Sequence, residues 1–175
     1  MELQRLTDAN DPAFADAMAL YQASFPFHER RERASQRRIL LDSEYQFNRI
    51  VDNGEWVGLM LCWQTDAFVY VEHFCIRPAL RSRGCGQRAL ELLLSRGLPV
   101  VLEIDPPIDE LSKRRKAFYE RAGFVANAFA HVHPPYHAGF DGHRLTVMTA
   151  PSAWTEPQYR AFSRYLGGTV MKNVF

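Results

Sequence analysis

Three strand-like runs follow one another between residues 45 and 76, and what comes after them is of a different kind. Tyr45–Val51 ends at Asn53-Gly54, a strong two-residue hairpin signal. Trp56–Trp63 returns, Thr65-Asp66 turns again, and Ala67–Ile76 is a third run rich in Phe, Val and Tyr. Strands joined by such short turns can only be antiparallel neighbours. The period then changes. Residues 86–96 place Ala89, Leu90, Leu93 and Leu94 on one helical face, with Gly97 as a stop. Pro99–Ile104 is a short apolar strand, Glu110–Ala122 a second helix stopped by Gly123, and Phe124–Ala130 and Arg144–Thr149 read as late strands. The order predicts an α/β (α+β) fold. Its mixed central sheet holds an antiparallel meander, then β-α-β-α-β, with helices packed over it.

The remaining elements fit that frame. Glu2–Thr7 reads as a first strand. Asp11-Pro12 opens a helix carrying Phe14, Met18 and Tyr21, and Pro26 ends it. Residues 29–41 read as a second helix, rich in arginine, with Glu29 and Glu32 interspersed. That mixture predicts a solvated face. Residues 155–166 read as a terminal helix, so residues 1–175 form one domain in which 151–175 is a helical extension. At 175 residues one domain is the expected content. A net charge of +1 argues against nucleic acid as a partner. No apolar run reaches the roughly 20 residues of a membrane span, and residues 1–12 have no basic-then-apolar signal pattern. Three cysteines, Cys62, Cys75 and Cys85, without a CxxC pair, argue against a disulfide framework. A reduced, cytoplasmic setting is the expectation.

The sharpest local feature is the run Ile76-Arg77-Pro78-Ala79-Leu80-Arg81-Ser82-Arg83-Gly84-Cys85-Gly86. A strand ends, a loop turns, and a helix begins at the second glycine. Free N–H groups of a first helical turn converge on one place, and the helix dipole favours an anion there. Arg81 and Arg83 add charge, so a pyrophosphate fits. The bland alternative is an ordinary turn and helix cap. A Walker loop is excluded because no Gly-Lys-Ser/Thr follows. A dinucleotide fold is excluded because no third glycine follows and the preceding strand is third in a meander.

This stretch resembles the acetyl-CoA signature of the GNAT (Gcn5-related N-acetyltransferase) family, in which arginine or glutamine precedes a G-x-G pair. The run Ala117-Phe118-Tyr119-Glu120-Arg121-Ala122-Gly123-Phe124 is similar to the family's second hallmark. Where the family often has Asn and Ala ahead of the Phe-Tyr pair, this chain has Ser112 and Arg115. The resemblance is specific over residues 68–124. It implies a single GNAT-like domain that binds acetyl-CoA through Cys75, Ile76, Arg81, Ser82, Arg83, Gly84, Cys85, Gly86 and Gln87. The acetyl group would lie where two parallel strands, 67–76 and 99–104, splay apart, with backbone N–H around Cys75 and Ile76 polarising the carbonyl.

The chemistry so implied needs a neutral amine, a polarised thioester and a proton for the departing thiolate. Tyr119 stands where the family has its acid; its alternative is a core tyrosine beside Phe118. Glu72 and His73 are the candidate bases. Strand alternation sends Glu72 to the face of Phe68, Tyr70 and Phe74, and His73 to that of Val69, Val71 and Cys75. Burial would raise the pKa of Glu72; otherwise it is solvated or paired with an arginine. Cys85 reads as a small filler, not a nucleophile. His131, His133, His137 and His143 lack the spacing of a metal site and read as a loop over the acceptor, so no metal is expected. The family builds its acceptor site from segments that here are 25–31 and 131–143. Phe27, Arg30, Arg31 and Tyr136 are the candidates, and the two arginines suit an acceptor bearing an acid group.

The expected function is transfer of acetyl from acetyl-CoA to a primary amine of a small molecule or peptide, by direct attack in a ternary complex. The alternative is a non-catalytic acyl-CoA-binding or sensing module. A second copy of the chain, as a homodimer, is the one protein partner this reading leaves open.

Overall fold

The computed structural model describes residues 1–172 and 174; Asn173 and Phe175, at the end of the 151–175 segment, lie outside the described residues. In chain order the elements are β1 (Glu2–Leu6), α1 (Pro12–Ser24), α2 (Arg33–Ile39), β2 (Tyr45–Asp52), β3 (Glu55–Gln64), β4 (Val69–Ile76), α3 (Cys85–Leu94), β5 (Val100–Ile104), α4 (Glu110–Arg121), β6 (Val125–Ala126), β7 (Val132–His133), β8 (His143–Arg144), β9 (Thr146–Ala150) and α5 (Glu156–Tyr165). The central sheet runs β1-β2-β3-β4-β5-β9-β6, and β7 pairs with β8 apart from it. The β4–β5 pair is parallel and the other ladders are antiparallel. The meander therefore folds as its turns dictate, and α3 is the crossover that brings β5 in alongside β4.

The two sheet faces carry separate cores. On one, α1 and α5 bury Phe14, Tyr21 and Phe162 against Phe47, Trp63 and Tyr70. On the other, α3 and α4 bury Leu90, Leu93 and Tyr119 against Val71, Leu102 and Met148. Each large side chain taken fully out of water contributes roughly 1.5–3 kcal/mol. Phe162 has no exposed surface, so residues 151–171 complete the first core and are not an appendage to it.

Two irregularities in β4 set up everything that follows. Leu61 of β3 pairs with His73 and Cys62 pairs with Val71, which leaves Glu72 as an extra residue without a cross-strand partner. This is a β-bulge. On its other side β4 pairs with β5 only through Val69–Val71 against Val100–Leu102. From Glu72 and Glu103 onward the two strands have no ladder between them.

The bulge overturns the expected faces. After it the alternation is shifted by one, so Cys75 joins the core of Tyr70, while Phe74 packs with Val69 and Val71. Glu72 and His73 both point to the α1 side, where both meet Tyr136. Other differences are of length. Instead of one long helix over 29–41 there is a 3-10 turn (Phe27–Glu29) followed by the seven-residue α2. The expected strand at 124–130 is two residues long, and α3 begins at Cys85, one residue earlier than the second glycine.

Candidate functional site

A cleft of about 1450 Å³ opens where β4 and β5 part. Single-ligand pockets usually hold about 300–1,000 Å³, so this one has room for two ligands side by side. One end is formed by the glycine loop, α3 and α4, and the other by residues 24–29 and the 133–145 loop.

At the first end the chain is shaped to leave backbone N–H groups open. Ser82 has φ +61° and Gly84 φ +74°. The left-handed Gly84 caps α3 without any side-chain hydrogen bond to the helix. The first α3 N–H to reach a helical acceptor is that of Arg88, bonded to the Gly84 carbonyl at 3.1 Å. A Cβ on Gly86 would come within 3.2 Å of the Phe118 ring, so the residue is small because α4 packs against it. Arg81, Ser82, Gly84, Cys85, Gly86 and Gln87 line the cleft, as do Cys75 and Ile76. Arg83 is exposed and stands outside its wall. Arg81, Arg115 and Arg121 also line the cleft. Ser112 is buried in the capping box of α4, bonded to Asp109 at 2.8 Å through its N–H. Arg115 pairs with Asp105 at 2.5 Å.

Tyr119 lies on the α3–α4 side of the sheet, and burial pushes its hydroxyl up to about 12. The phenol is therefore protonated at neutral pH, as a donor must be.

On the opposite side lies a buried polar network. Glu72 Oε1 accepts from Arg31 Nε at 2.9 Å and from the Tyr136 hydroxyl at 3.1 Å; Oε2 accepts from Trp63 Nε1 at 2.8 Å. Burial works to raise the Glu72 pKa, but Arg31, His73 and the Trp63 hydrogen bond outweigh it, and the carboxyl is held below its usual range. The expected raised value is corrected: the arginine is as buried as the carboxylate. Only the backbone of Glu72 reaches the cleft, because its side chain has no exposed surface.

His73 is boxed in by Tyr21, Phe25 and Tyr136, with ring centroids 4.9, 4.7 and 5.8 Å away. Its Nε2 lies 2.8 Å from the Glu29 carbonyl, which can only accept, so Nε2 carries the proton. Nδ1 has no partner. Burial lowers the pKa of the ring and keeps it neutral.

The acceptor candidates divide sharply. Tyr136 lines the cleft. Arg31 does not: it is fully buried, and its guanidinium also donates to the Val170 carbonyl and to Ser35. The expected solvated helix face is thus wrong for this residue, whose planar fork is spent on Glu72. Arg30 sits over the Phe27 ring, and Phe27 stacks on His137 at 3.8 Å. Neither forms part of the cleft wall. With both arginines out of the cleft wall, neither is placed to hold an acid group on the acceptor.

What takes their place is a set of acidic groups beside two histidines of the loop expected over the acceptor. Glu29, Glu103, Asp105, Asp141, His133 and His143 line the acceptor end. Glu29, Asp105 and His143 each bring one ligand atom within 4.8 Å of the others. His131, His133 and His137 are buried, and two of them are structural in their contacts, with His131 bonded to Glu103 and His137 to the Phe27 carbonyl. The one available sequence signal was a carboxylate in the apolar run Val100–Ile104. Among the described residues no helix is long and apolar enough to cross a membrane.

Comparison with known proteins agrees with this geometry. Residues 11–124 match the model of the Acetyltransferase (GNAT) family. YjbC of Bacillus subtilis (strain 168), whose name assigns it to the acetyltransferases, is 26% identical over 103 residues. That match takes in 57% of this chain and 52% of YjbC, so the chain spans about half the length of that relative. A solved GNAT-family structure from Bacteroides thetaiotaomicron superposes with a TM-score of 0.92 at 32% identity, covering 98% of each chain. An aminoglycoside 6'-N-acetyltransferase complexed with coenzyme A shares the fold, with a TM-score of 0.57 at 18% identity over 89% of this chain and all of that one (100%). So does the ribosomal-protein-S18-alanine N-acetyltransferase of Escherichia coli, at 0.57 and 17% over 89% and 96%. The splayed parallel strands, the uncapped glycine-loop helix and these matches together place the chain in the GNAT acetyltransferase family.

Proposed function

We propose that the protein transfers the acetyl group of acetyl-CoA to a primary amine by direct attack within a ternary complex. The observation that carries this is the cleft where β4 and β5 part, lined by arginines beside the glycine loop and by carboxylates beside the 133–145 loop. Arg81, Arg115, Arg121 and the open N–H groups of α3 suit a pyrophosphate. Glu29, Glu103, Asp105 and Asp141 suit an ammonium. Asp105, paired with Arg115, marks the border between the ends.

The bulge gives the thioester its place. Beyond Val71 the β4 backbone has no partner in β5, and Glu72 has none in β3. Backbone N–H groups there are free to polarise the thioester carbonyl as charge builds on its oxygen. This moves the polarising position from Cys75–Ile76 to the bulge. Tyr119 acts on the sulfur. Full transfer of a proton from a phenol near 12 to an ordinary thiolate near 8.5 would be uphill by about 5 kcal/mol. The phenol's contribution is thus a hydrogen bond that strengthens as the carbon–sulfur bond breaks, and the thiolate takes its proton from solvent on leaving.

For the acceptor, the acidic end favours a small amine that carries a second positive charge. The test has two readouts. Acetyl-CoA should raise the melting temperature, since a ligand bound only by the folded state stabilises it. Thiol release should be faster with 1,4-diaminobutane and spermidine than with glycine or glutamate. Melting that is indifferent to millimolar acetyl-CoA would remove the cofactor assignment. A melting shift without thiol release from any amine would make the protein an acyl-CoA-binding module. Faster turnover of the amino acids would overturn the acceptor class.

A further inference from the structure

Direct attack needs a group that removes a proton from the acceptor nitrogen, and the two residues expected to do so are compromised. Glu72 has both oxygens engaged and is held as a weakly basic carboxylate. His73 keeps a lone pair on Nδ1, but the rings around it are Tyr21, Phe25 and Tyr136, and the nearest carboxylate is already matched by Arg31.

His133 is different. It lies on β7 over the acceptor end, 4% exposed, with its ring stacked on Tyr136 at 4.9 Å. Nδ1 is 2.6 Å from the Pro134 carbonyl oxygen. A carbonyl can only accept, so Nδ1 carries the proton and Nε2 carries the lone pair. Nε2 is buried and has no hydrogen-bond partner in the protein. It faces Oε2 of Glu103 at 3.9 Å. Both residues line the cleft, and Glu103 sits on β5 one residue past the last β4–β5 pair. That spacing is too long for a direct hydrogen bond, so Nε2 keeps its lone pair; Oε2 meanwhile accepts from the Tyr70 hydroxyl, and Oε1 is bonded to His131. A buried imidazole nitrogen left unsatisfied costs stability, and such a cost points to a missing partner.

Resting on the acetyl-transfer reading above, we propose that His133 Nε2 is the proton acceptor of the reaction and that Glu103 positions the amine and steadies the imidazolium that forms. An incoming ammonium gives one proton to His133 Nε2, which passes it to solvent. The neutral amine then forms the carbon–nitrogen bond, and the carbon–sulfur electron pair leaves with sulfur under the Tyr119 hydrogen bond. The surplus proton on nitrogen goes to His133 Nε2 and from there to solvent. Base and sulfur donor stand on opposite sides of the sheet, with the parted strands between them. The groups that face the imidazole are Glu103 from β5, Glu72 and His73 from β4, and Tyr136 and His131 from its own loop. Of these Glu103 is the nearest charge without an arginine partner.

The experiment measures thiol release from pH 5 to 9 with 1,4-diaminobutane as reference probe and the amine panel beside it. His133→Gln should lower kcat/KM by about 10²-fold and flatten the acidic limb of the profile, with the acetyl-CoA melting shift intact. Glu103→Gln should raise the KM for 1,4-diaminobutane more than it lowers kcat, with the acetyl-CoA melting shift intact, and Glu103→Asp should recover part of the loss. Should either variant fail to fold, nitrogen-15 spectra of histidine-labelled wild type read the neutral tautomer directly, and an Nε2–H form of His133 overturns the proposal. An active wild type whose acidic limb survives in His133→Gln, or disappears instead in His73→Asn, also overturns it and leaves acetyl transfer standing. A wild type that releases no thiol from any amine overturns the reading beneath it.

Discussion

Tyr119 and Glu72 show how burial and a buried partner together set what a titratable residue can do. Tyr119 has no charged hydrogen-bond partner, so desolvation dominates and the phenol stays protonated. Tyr119→Phe removes only a hydroxyl. It should leave the acetyl-CoA melting shift in place and lower kcat by about 10²-fold, the scale of one transition-state hydrogen bond. An unchanged kcat, with chemistry rate-limiting, would return Tyr119 to the core. Glu72 is the opposite case, because its desolvation is overcome by Arg31. A carboxyl whose folded pKa lies below its unfolded value of about 4.3 contributes stability above that value and loses it as pH falls through the folded pKa. Glu72→Gln should therefore destabilise the protein by about 3–5 kcal/mol at pH 7, since Arg31 is left buried and unpaired. Its stability should also fall less steeply than wild type below pH 4. Urea unfolding at pH 7, 5 and 3.5 checks both, and identical slopes would remove the ion pair from the stability of the fold. That Glu72 mattered could be read from a carboxylate among aromatics. That its partner is Arg31 could not, since 41 residues separate them.

At the scale of elements, the glycine loop and α3 were legible because their signals are local: a strand end, φ-permissive residues and a helical period. The packing behind them was not. Gly86 faces Phe118 of α4 at 3.2 Å from where a Cβ would stand. In Gly86→Val a branched side chain must push that ring and fill the space above the first turn of α3. The melting temperature without ligand should fall, because the Phe118 ring must move, and the acetyl-CoA shift should be lost. Retention of the full shift would mean that the loop does not hold the cofactor. Strand β4 shows the limit of periodicity. Alternation is a rule for unbroken ladders, and one extra residue at Glu72 reversed it for all that followed. Nothing in the run Val69–Ile76 marks that bulge, because it arises from pairing with β3 on one side and losing β5 on the other.

For the molecule as a whole, the order of elements determined the fold class, since short turns force antiparallel neighbours and a helical crossover forces a parallel pair. The cofactor end of the cleft followed from the same local chemistry. The acceptor end is built otherwise. Residues 24–29, β4, β5 and the 133–145 loop meet there from four distant parts of the chain. Its charge is set by which side chains turn inward, and sequence position says little about that. Arg30 and Arg31 lie beside the right segment, yet one rests on Phe27 and the other is consumed by Glu72. His133 sits in a run of histidines that differ little on paper. The fold buries three of them, engages His131 with Glu103 and His137 with a backbone carbonyl, and leaves His133 Nε2 unpartnered toward Glu103. Local propensity and spacing thus determined the glycine loop and helix start proposed to hold the phosphates. Long-range pairing, and the cost of burying each polar atom, decided the groups proposed to bind and deprotonate the amine.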